Sequence, residues 1–259
     1  MYGRAAARLR LQPMRFASIK EFLSRLGPAE RVVAYSLVGG IPHYLCALST
    51  ASSLREVIEK LIASPTAMLL DEKDLILREE FRDPHTYAAI LSAIAKGYGT
   101  PAKIAQATGI DASHTHKCLA VLEYLGIVRR DVPLFKKKGR YVKEDPVIRT
   151  WYSLVEPVVE LVGMGEYGRV LKGVMKALPR HVSQTWEALV REYLLRKYLP
   201  QGFTVAGRLE HKGTELDVTV LNTKDKKAVV AEVEWSAGTS RHADRLAREA
   251  MKKAIALLT

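Results

Sequence analysis

Apolar residues in this chain follow helical spacing for most of its length, then change to strand-like alternation after about residue 198. Ser18 is placed to cap a helix reaching Leu26, with Glu21 three residues on completing a capping box. A second helical stretch from Pro28 to Tyr44 breaks at Gly39-Gly40-Ile41-Pro42. Leu54, Val57, Ile58 and Leu61 share one face of a helix over residues 53–63, and an acidic, apolar helix follows over 69–81. Ahead of these, Leu9-Arg10-Leu11 alternates like a short strand that Pro13 stops.

The next stretch has its own punctuation. Tyr87, Ile90, Leu91 and Ile94 form a stripe that ends at Gly97 and Gly99. Thr100 caps a short helix with Pro101 at its first position, Gly109 turns the chain, and Asp111 caps a longer helix ending at Gly126. Residues 127–130 and 140–143 read as two strands joined by a basic segment. Helix, short helix, turn, longer helix and hairpin together predict a winged helix-turn-helix. A bridging helix over 145–164 comes next, then a helix over 183–198 that buries Trp186, Leu189, Val190, Tyr193 and Leu194. The strand-like runs 215–221 and 229–235 predict a β-hairpin, and a basic helix over 241–258 follows.

The expected fold is therefore mostly α with an α/β C-terminal part. Its divisions are 1–82, a last core strand and a helical lid; 83–145, the winged helix; 146–182, a bridging helix and linker; and 183–259, an α/β unit. No internal repeat or low-complexity tract interrupts them.

Composition changes this picture in one respect. The net charge of +12 calls for a polyanionic partner, most simply nucleic acid. No apolar run approaches the length that spans a bilayer. Two cysteines, Cys46 and Cys118, sit at helical positions among apolar neighbours, which predicts small core residues in a cytoplasmic protein. The first twenty residues contain arginine and no acid, as an organelle presequence does, but the alternation at residues 9–11 favours a folded start.

Candidate chemistry falls in two places. In a winged helix the N-terminal turns of the second helix enter the major groove. Here these are Ser113, His114, Thr115, His116 and Lys117, suited to phosphates and base edges. Lys136, Lys137, Lys138 and Arg140 make a basic wing. Winged helices also serve as protein-binding domains, so duplex DNA is the expected partner and protein the alternative. His114 and His116 are two apart on a helix and cannot share a face, which excludes a metal site there.

The second place is the hairpin. Glu215 and Asp217 point one way on one strand, Glu232 and Glu234 one way on the other, so pairing gathers carboxylates. Such a cluster needs a cation or water. A nuclease holds Mg²⁺ or Mn²⁺ on carboxylates of adjacent strands beside the scissile phosphate, and a lysine commonly assists. Asp217 and Glu232 fit the metal-ligand roles, with Glu187 or Glu192 as a further carboxylate. Glu234 stands where the lysine is expected; it brings no positive charge and can serve only as a third ligand or general base. An active nuclease, a nuclease fold without cleavage, and a chance alternation all remain open.

The order Gly3-Arg4, Leu11-Gln12-Pro13, Tyr35, Gly39-Gly40-Ile41-Pro42, Tyr44-Leu45, winged helix, Tyr141, Trp151-Tyr152, Trp186-Glu187, Leu189-Val190-Arg191-Glu192, Glu215-Leu216-Asp217-Val218 and Glu232-Val233-Glu234-Trp235 resembles the archaeal ATPase family. These are AAA+ proteins of the STAND-related group whose C-terminal region is called DUF234. The resemblance covers nearly the whole chain. It implies an AAA+ lid in which Gly40 and Pro42 face the nucleotide, a core-end arginine at Arg4, and a restriction-endonuclease-like, PD-(D/E)xK-type C-terminal domain, truncated here before its last strand. The family's terminal hairpin usually reads Glu-Val-Lys-Trp, so Glu234 is a departure. A larger one is the missing P-loop, without which this chain is not expected to hydrolyse ATP.

Three functions follow as expectations. The chain binds DNA as the C-terminal portion of such an ATPase; it is a Mg²⁺- or Mn²⁺-dependent nuclease; or it is an interaction subunit completing a split ATPase, meeting ATP only when a separate subunit supplies the P-loop core.

Overall fold

The computed structural model describes residues 11–211, 213–236 and 239–258; Arg4 and the expected strand at Leu9 and Arg10 lie outside them. The stretch 18–26 is not the expected helix. A 3₁₀ turn at Phe16–Ser18 leads into successive turns, yet Ile19, Leu23 and Leu26 are all buried. The Leu23 carbonyl accepts the Leu26 N–H at 3.2 Å, a turn of 3₁₀ type, together with the Arg31 guanidinium at 2.9 Å, in place of the Gly27 N–H that an α-helix would supply. The capping box forms one helix later, where Glu30 Oε2 accepts the Gly27 N–H at 2.8 Å.

Helices α1 (Pro28–Val38) and α2 (Pro42–Leu48) meet at the predicted break. Gly39 adopts φ +62°, and the Gly40 carbonyl accepts the Met14 N–H at 2.8 Å. Helices α3 (Leu54–Leu61) and α4 (Glu72–Glu80) complete the N-terminal helical unit. Ser53 caps α3 through the Glu56 N–H. Cys46 is exposed, against expectation, whereas Cys118 is buried.

The helices α5 (Pro84–Ala95), α6 (Pro101–Thr108) and α7 (Ala112–Leu125), with strands β1 (Val128–Asp131) and β2 (Arg140–Lys143), make the winged helix. Asp83, Thr100 and Asp111 each cap the helix they precede. Gly109 and Gly126 take the left-handed turns at φ +70° and +79°.

The bridge is not one helix. α8 (Pro146–Thr150) passes into a π-helical turn at Trp151–Val155, a 3₁₀ turn at Glu156–Val158 and α9 (Val159–Gly163). Pro157, inside the 3₁₀ turn, lacks the N–H that a continuous helix needs. Two aromatic neighbours in the π turn reach two different segments. Trp151 Nε1–H donates to the Leu70 carbonyl and the Tyr152 hydroxyl to the Ala88 carbonyl, each at 3.0 Å. A single buried cluster accordingly runs from Ile19 to Val182 and unites the N-terminal helical unit, winged helix and bridge.

Helix α10 (Tyr167–Tyr198) is far longer than expected, so the boundary at 182/183 falls inside it. Its Arg149-facing side closes the C-terminus of α1. There the last carbonyls of a helix lack intrahelical donors. The Ser36 carbonyl accepts from His181 Nε2 at 3.0 Å and from the Arg149 guanidinium at 2.9 Å, while Thr150 Oγ1 donates to the Leu37 carbonyl at 2.7 Å. Along α10, Tyr193 is exposed rather than buried.

The C-terminal sheet has the order β3 (Val205–His211), β4 (Thr214–Asn222), β5 (Lys227–Ala231), antiparallel throughout. The predicted hairpin is β4–β5; β3 was not anticipated. Val218 and Val220 pack with Val190, Leu194 and Leu195 of α10, and α11 (Ser240–Leu258) also lies against β4 and β5. No helix among the described residues is long and apolar enough to cross a membrane.

Candidate functional site

On the winged helix, the N-terminal turns of α7 present Ser113, His114, His116 and Lys117 to solvent. Thr115 does not join them. It is fully buried and its hydroxyl reaches the Ile110 carbonyl at 3.4 Å, because position 115 lies on the stripe that continues through Cys118, Leu119 and Leu122. His114 also touches Cys118, with 3.7 Å between Nε2 and Sγ.

The wing is docked onto the C-terminal sheet. Leu134 N–H donates to the Arg208 carbonyl of β3 at 2.8 Å, and Leu134 packs where Gly207 leaves room. Arg208, itself nearly buried, pairs with Asp131 of the wing at 3.1 Å and with Glu215 of β4 at 2.8 Å. Lys136 is engaged by Glu210 at 2.9 Å. Of the expected wing cations, Lys137 and Lys138 are exposed, and Arg140 is exposed with Asp131 at 3.8 Å. Lys136 thus joins the two domains, a role its place in a lysine run does not reveal.

The hairpin carboxylates are only partly gathered. Gly207 faces Thr219 and Leu209 faces Leu216, so two steps on β3 oppose three on β4 and the extra residue falls at Asp217–Val218. Such a bulge re-aims side chains. It sets Asp217 within electrostatic reach of Glu187 on α10, while the neighbouring Val218 packs on the same helix. Glu187, half-buried and beside Asp217, has its carboxyl pushed up to about 6, chiefly by burial. Glu192 instead pairs with Arg196 at 2.8 Å on the exposed side.

Glu232 and Glu234 both reach α11, as strand alternation predicts, but they meet different partners there and differ in burial. The ladder ends at Ala231 because Asp217 Oδ2 accepts the Val233 N–H at 2.8 Å in place of a strand partner. Glu232 is nine-tenths buried; Lys253 of α11 holds its Oε2 at 2.7 Å, and its Oε1 is buried with no partner. Burial pushes the Glu232 carboxyl up, and Lys253 opposes that rise. Glu234 is turned toward α11, where His242 Nε2 lies 3.0 Å away, and the Ser236 hydroxyl and His242 lower its pKa. Trp235 packs edge-on against Trp186 at 5.5 Å, fastening this segment along α10.

The structure therefore sets Glu187, Glu232 and Lys253 each within electrostatic reach of Asp217, while Glu234 pairs with His242. Among the described residues, no group of three or more His, Cys, Asp or Glu is close enough to hold a metal ion. The pair Asp217 and Glu232 still suits a cation that keeps most of its water, as Mg²⁺ commonly does on one or two carboxylates. The bare Glu232 Oε1 is the observation that favours it. The apolar groove on the sheet, lined by Leu134, Leu209, Leu216, Leu221 and Val230, includes none of these four residues.

In the N-terminal helical unit, Gly40 is covered by the backbone of Met14 and Pro42 is exposed at the start of α2. Lys253 and Arg208 escaped the sequence reading. Nothing local marks Lys253 among the basic residues of its helix, and Arg208 lies on the strand that went unrecognised.

Comparison with known proteins agrees with this organisation. Residues 88–132 match the IclR helix-turn-helix domain, and residues 151–246 match the family DUF234, described as archaea bacterial proteins of unknown function. The uncharacterized protein MJECL04 of Methanocaldococcus jannaschii is 28% identical over 261 residues, covering 98% of this chain and 58% of that protein. No solved structure matches. The chain thus carries a helix-turn-helix DNA-binding domain of IclR type, followed by a DUF234 domain that begins in the bridge and includes the sheet.

Proposed function

We propose that this chain is the DNA-binding C-terminal portion of an archaeal AAA+-type ATPase, and that it has no ATPase activity by itself. The observation that carries the DNA-binding half is the exposed polar and basic start of α7, Ser113, His114, His116 and Lys117, beside exposed Lys137 and Lys138. The ATPase half rests on the resemblance of the Gly39–Pro42 box and the terminal hairpin. In that setting ATP is met only through a core carrying a P-loop, in the same protein or in a partner subunit. The cytoplasm is the matching compartment.

Fluorescence anisotropy with duplex DNA between about 50 and about 300 mM salt, where phosphate contacts make affinity strongly salt-dependent, tests the reading. Affinity falls steeply with salt. Lys117→Ala and Lys138→Ala each reduce the log–log slope by roughly 1. Lys136→Ala changes it less, because Glu210 already engages that lysine. An affinity flat across this range refutes DNA binding through phosphates.

A second reading, a Mg²⁺- or Mn²⁺-dependent nuclease, is favoured by the unpartnered Oε1 of Glu232 beside Asp217. Asp217 and Glu232 would hold the metal, which when bound supplies positive charge at the phosphate and an activated water. Glu187 adds a carboxylate that takes up a proton near pH 6. Glu234 contributes least, because it faces His242.

A further inference from the structure

A phosphodiester-cleaving site needs positive charge next to its carboxylates, and the strand position expected to provide it is glutamate in this chain. Lys253 lies on α11, far from that position in sequence, yet its Nζ is 2.7 Å from Glu232 Oε2 and within electrostatic reach of Asp217. The two oxygens of Glu232 then differ. Oε2 is engaged by Lys253, while Oε1 is buried in a side chain only 10% exposed and has no partner. A buried carboxylate oxygen left bare is unfavourable, and a hard cation next to Asp217 removes that cost. Lys253 itself is 38% exposed, so its remaining N–H donors are open to a ligand from solvent.

From this geometry we propose that Lys253, supplied by the last helix, is the cationic residue of a divalent-metal phosphodiesterase site formed with Asp217 and Glu232. The inference rests on the nuclease reading above. In the reaction a water oxygen forms the new bond to phosphorus, and the bond from phosphorus to the departing sugar oxygen breaks. The water's proton goes to solvent and the sugar oxygen takes one from solvent, so atoms and charge balance. Negative charge grows on the phosphoryl oxygens as the bond forms, and the Lys253 ammonium neutralises it there. An ion pair that only braced α11 has no such effect.

The test uses the full chain in four forms: wild type, Asp217→Asn, Lys253→Met and Lys253→Arg. Electron paramagnetic resonance of free Mn²⁺ reads metal binding without any turnover, and nicking of supercoiled plasmid reads cleavage. Wild type and Lys253→Met are expected to bind Mn²⁺ alike, while Lys253→Met nicks roughly 100-fold more slowly. Lys253→Arg restores most of the rate, and Asp217→Asn loses both binding and nicking. If Lys253→Met does not fold, Lys253→Gln keeps a donor to Glu232 without the charge, and the same loss is expected. Should the neutral variant nick at the wild-type rate while Asp217→Asn is inactive, the role of Lys253 is overturned and the nuclease reading stands. Equal nicking by wild type and Asp217→Asn, or no Mn²⁺ binding by wild type, overturns the nuclease reading and the Lys253 role with it. Loss of Mn²⁺ binding in the neutral variant, with the fold intact, makes Lys253 a structural residue and also refutes the proposal.

Discussion

Acid should weaken this fold through one histidine. His181 is buried where α10 crosses the end of α1, with Nε2 3.0 Å from the Ser36 carbonyl and Nδ1 2.8 Å from Ser153 Oγ. Since a carbonyl only accepts, Nε2 carries a proton, and burial keeps the ring neutral in the fold. Burial first, then the Arg149 guanidinium, push its pKa from 6.5 down to about 3. The unfolded chain takes up a proton as pH falls through 6.5, and the folded chain does not until pH is near 3. The contribution of His181 is therefore complete above 6.5 and is lost progressively as pH falls toward about 3. At 1.36 kcal/mol per decade, the loss from pH 7 to pH 5 is about 2 kcal/mol, and about 5 kcal/mol over the full range. Urea unfolding of wild type and His181→Gln at both pH values, at constant ionic strength, isolates the effect, because every other titrating group cancels in the comparison. The glutamine amide can still donate to the Ser36 carbonyl. A difference in pH dependence below about 0.5 kcal/mol refutes the assignment of a buried, neutral His181.

The wing clamp offers a second measurement: Arg208→Met removes the cation that Asp131 and Glu215 share and should cost about 1–2 kcal/mol in urea unfolding, since Asp131 keeps Arg129 at 2.7 Å and Glu215 is partly exposed, with faster amide exchange at Leu134. Unchanged exchange at Leu134 removes the clamp from the account. At the break between α1 and α2, Gly40→Ala places a methyl 1.8 Å from the Met14 carbonyl oxygen, so thermal melts should show a loss of at least about 2 kcal/mol. By contrast, Gly168→Ala in α10 meets no atom within 4 Å and should gain up to about 0.5 kcal/mol; a loss there contradicts the open surface.

The helix-turn-helix was legible because its signals are local. Asp83, Thr100 and Asp111 cap the helices they precede, and Gly109 and Gly126 take the φ values that only glycine adopts freely. The break at Gly39–Pro42 was legible for the same reason. Residues 18–26 misled, since Ser18 and Glu21 match a capping box while the carbonyl at Leu23 is claimed by a side chain from the next helix. The bridge misled too, because its apolar pattern continues through Pro157 although the hydrogen-bond ladder does not.

In the candidate sites the division between local and distant causes is sharper. The exposure of Ser113, His114, His116 and Lys117 and the burial of Thr115 both follow from the helical period, which the sequence contains, although Thr115 was first grouped with its neighbours. The alternation at Glu215 and Asp217 was equally readable, and Glu187 was named beside Glu192 with nothing local to choose between them.

By itself, then, the sequence determined the winged helix, the β4–β5 hairpin and the residue types available for binding, because caps, turns and periodicity act over a few residues. Only the tertiary structure decided that Lys136 braces the wing against β3, that Glu187 and not Glu192 faces Asp217, that a bulge and a carboxylate end β5 before Glu232, and that Lys253 reaches Glu232 from the last helix. Each of these depends on packing between segments far apart in the chain, where burial and charge, not local spacing, select the partner.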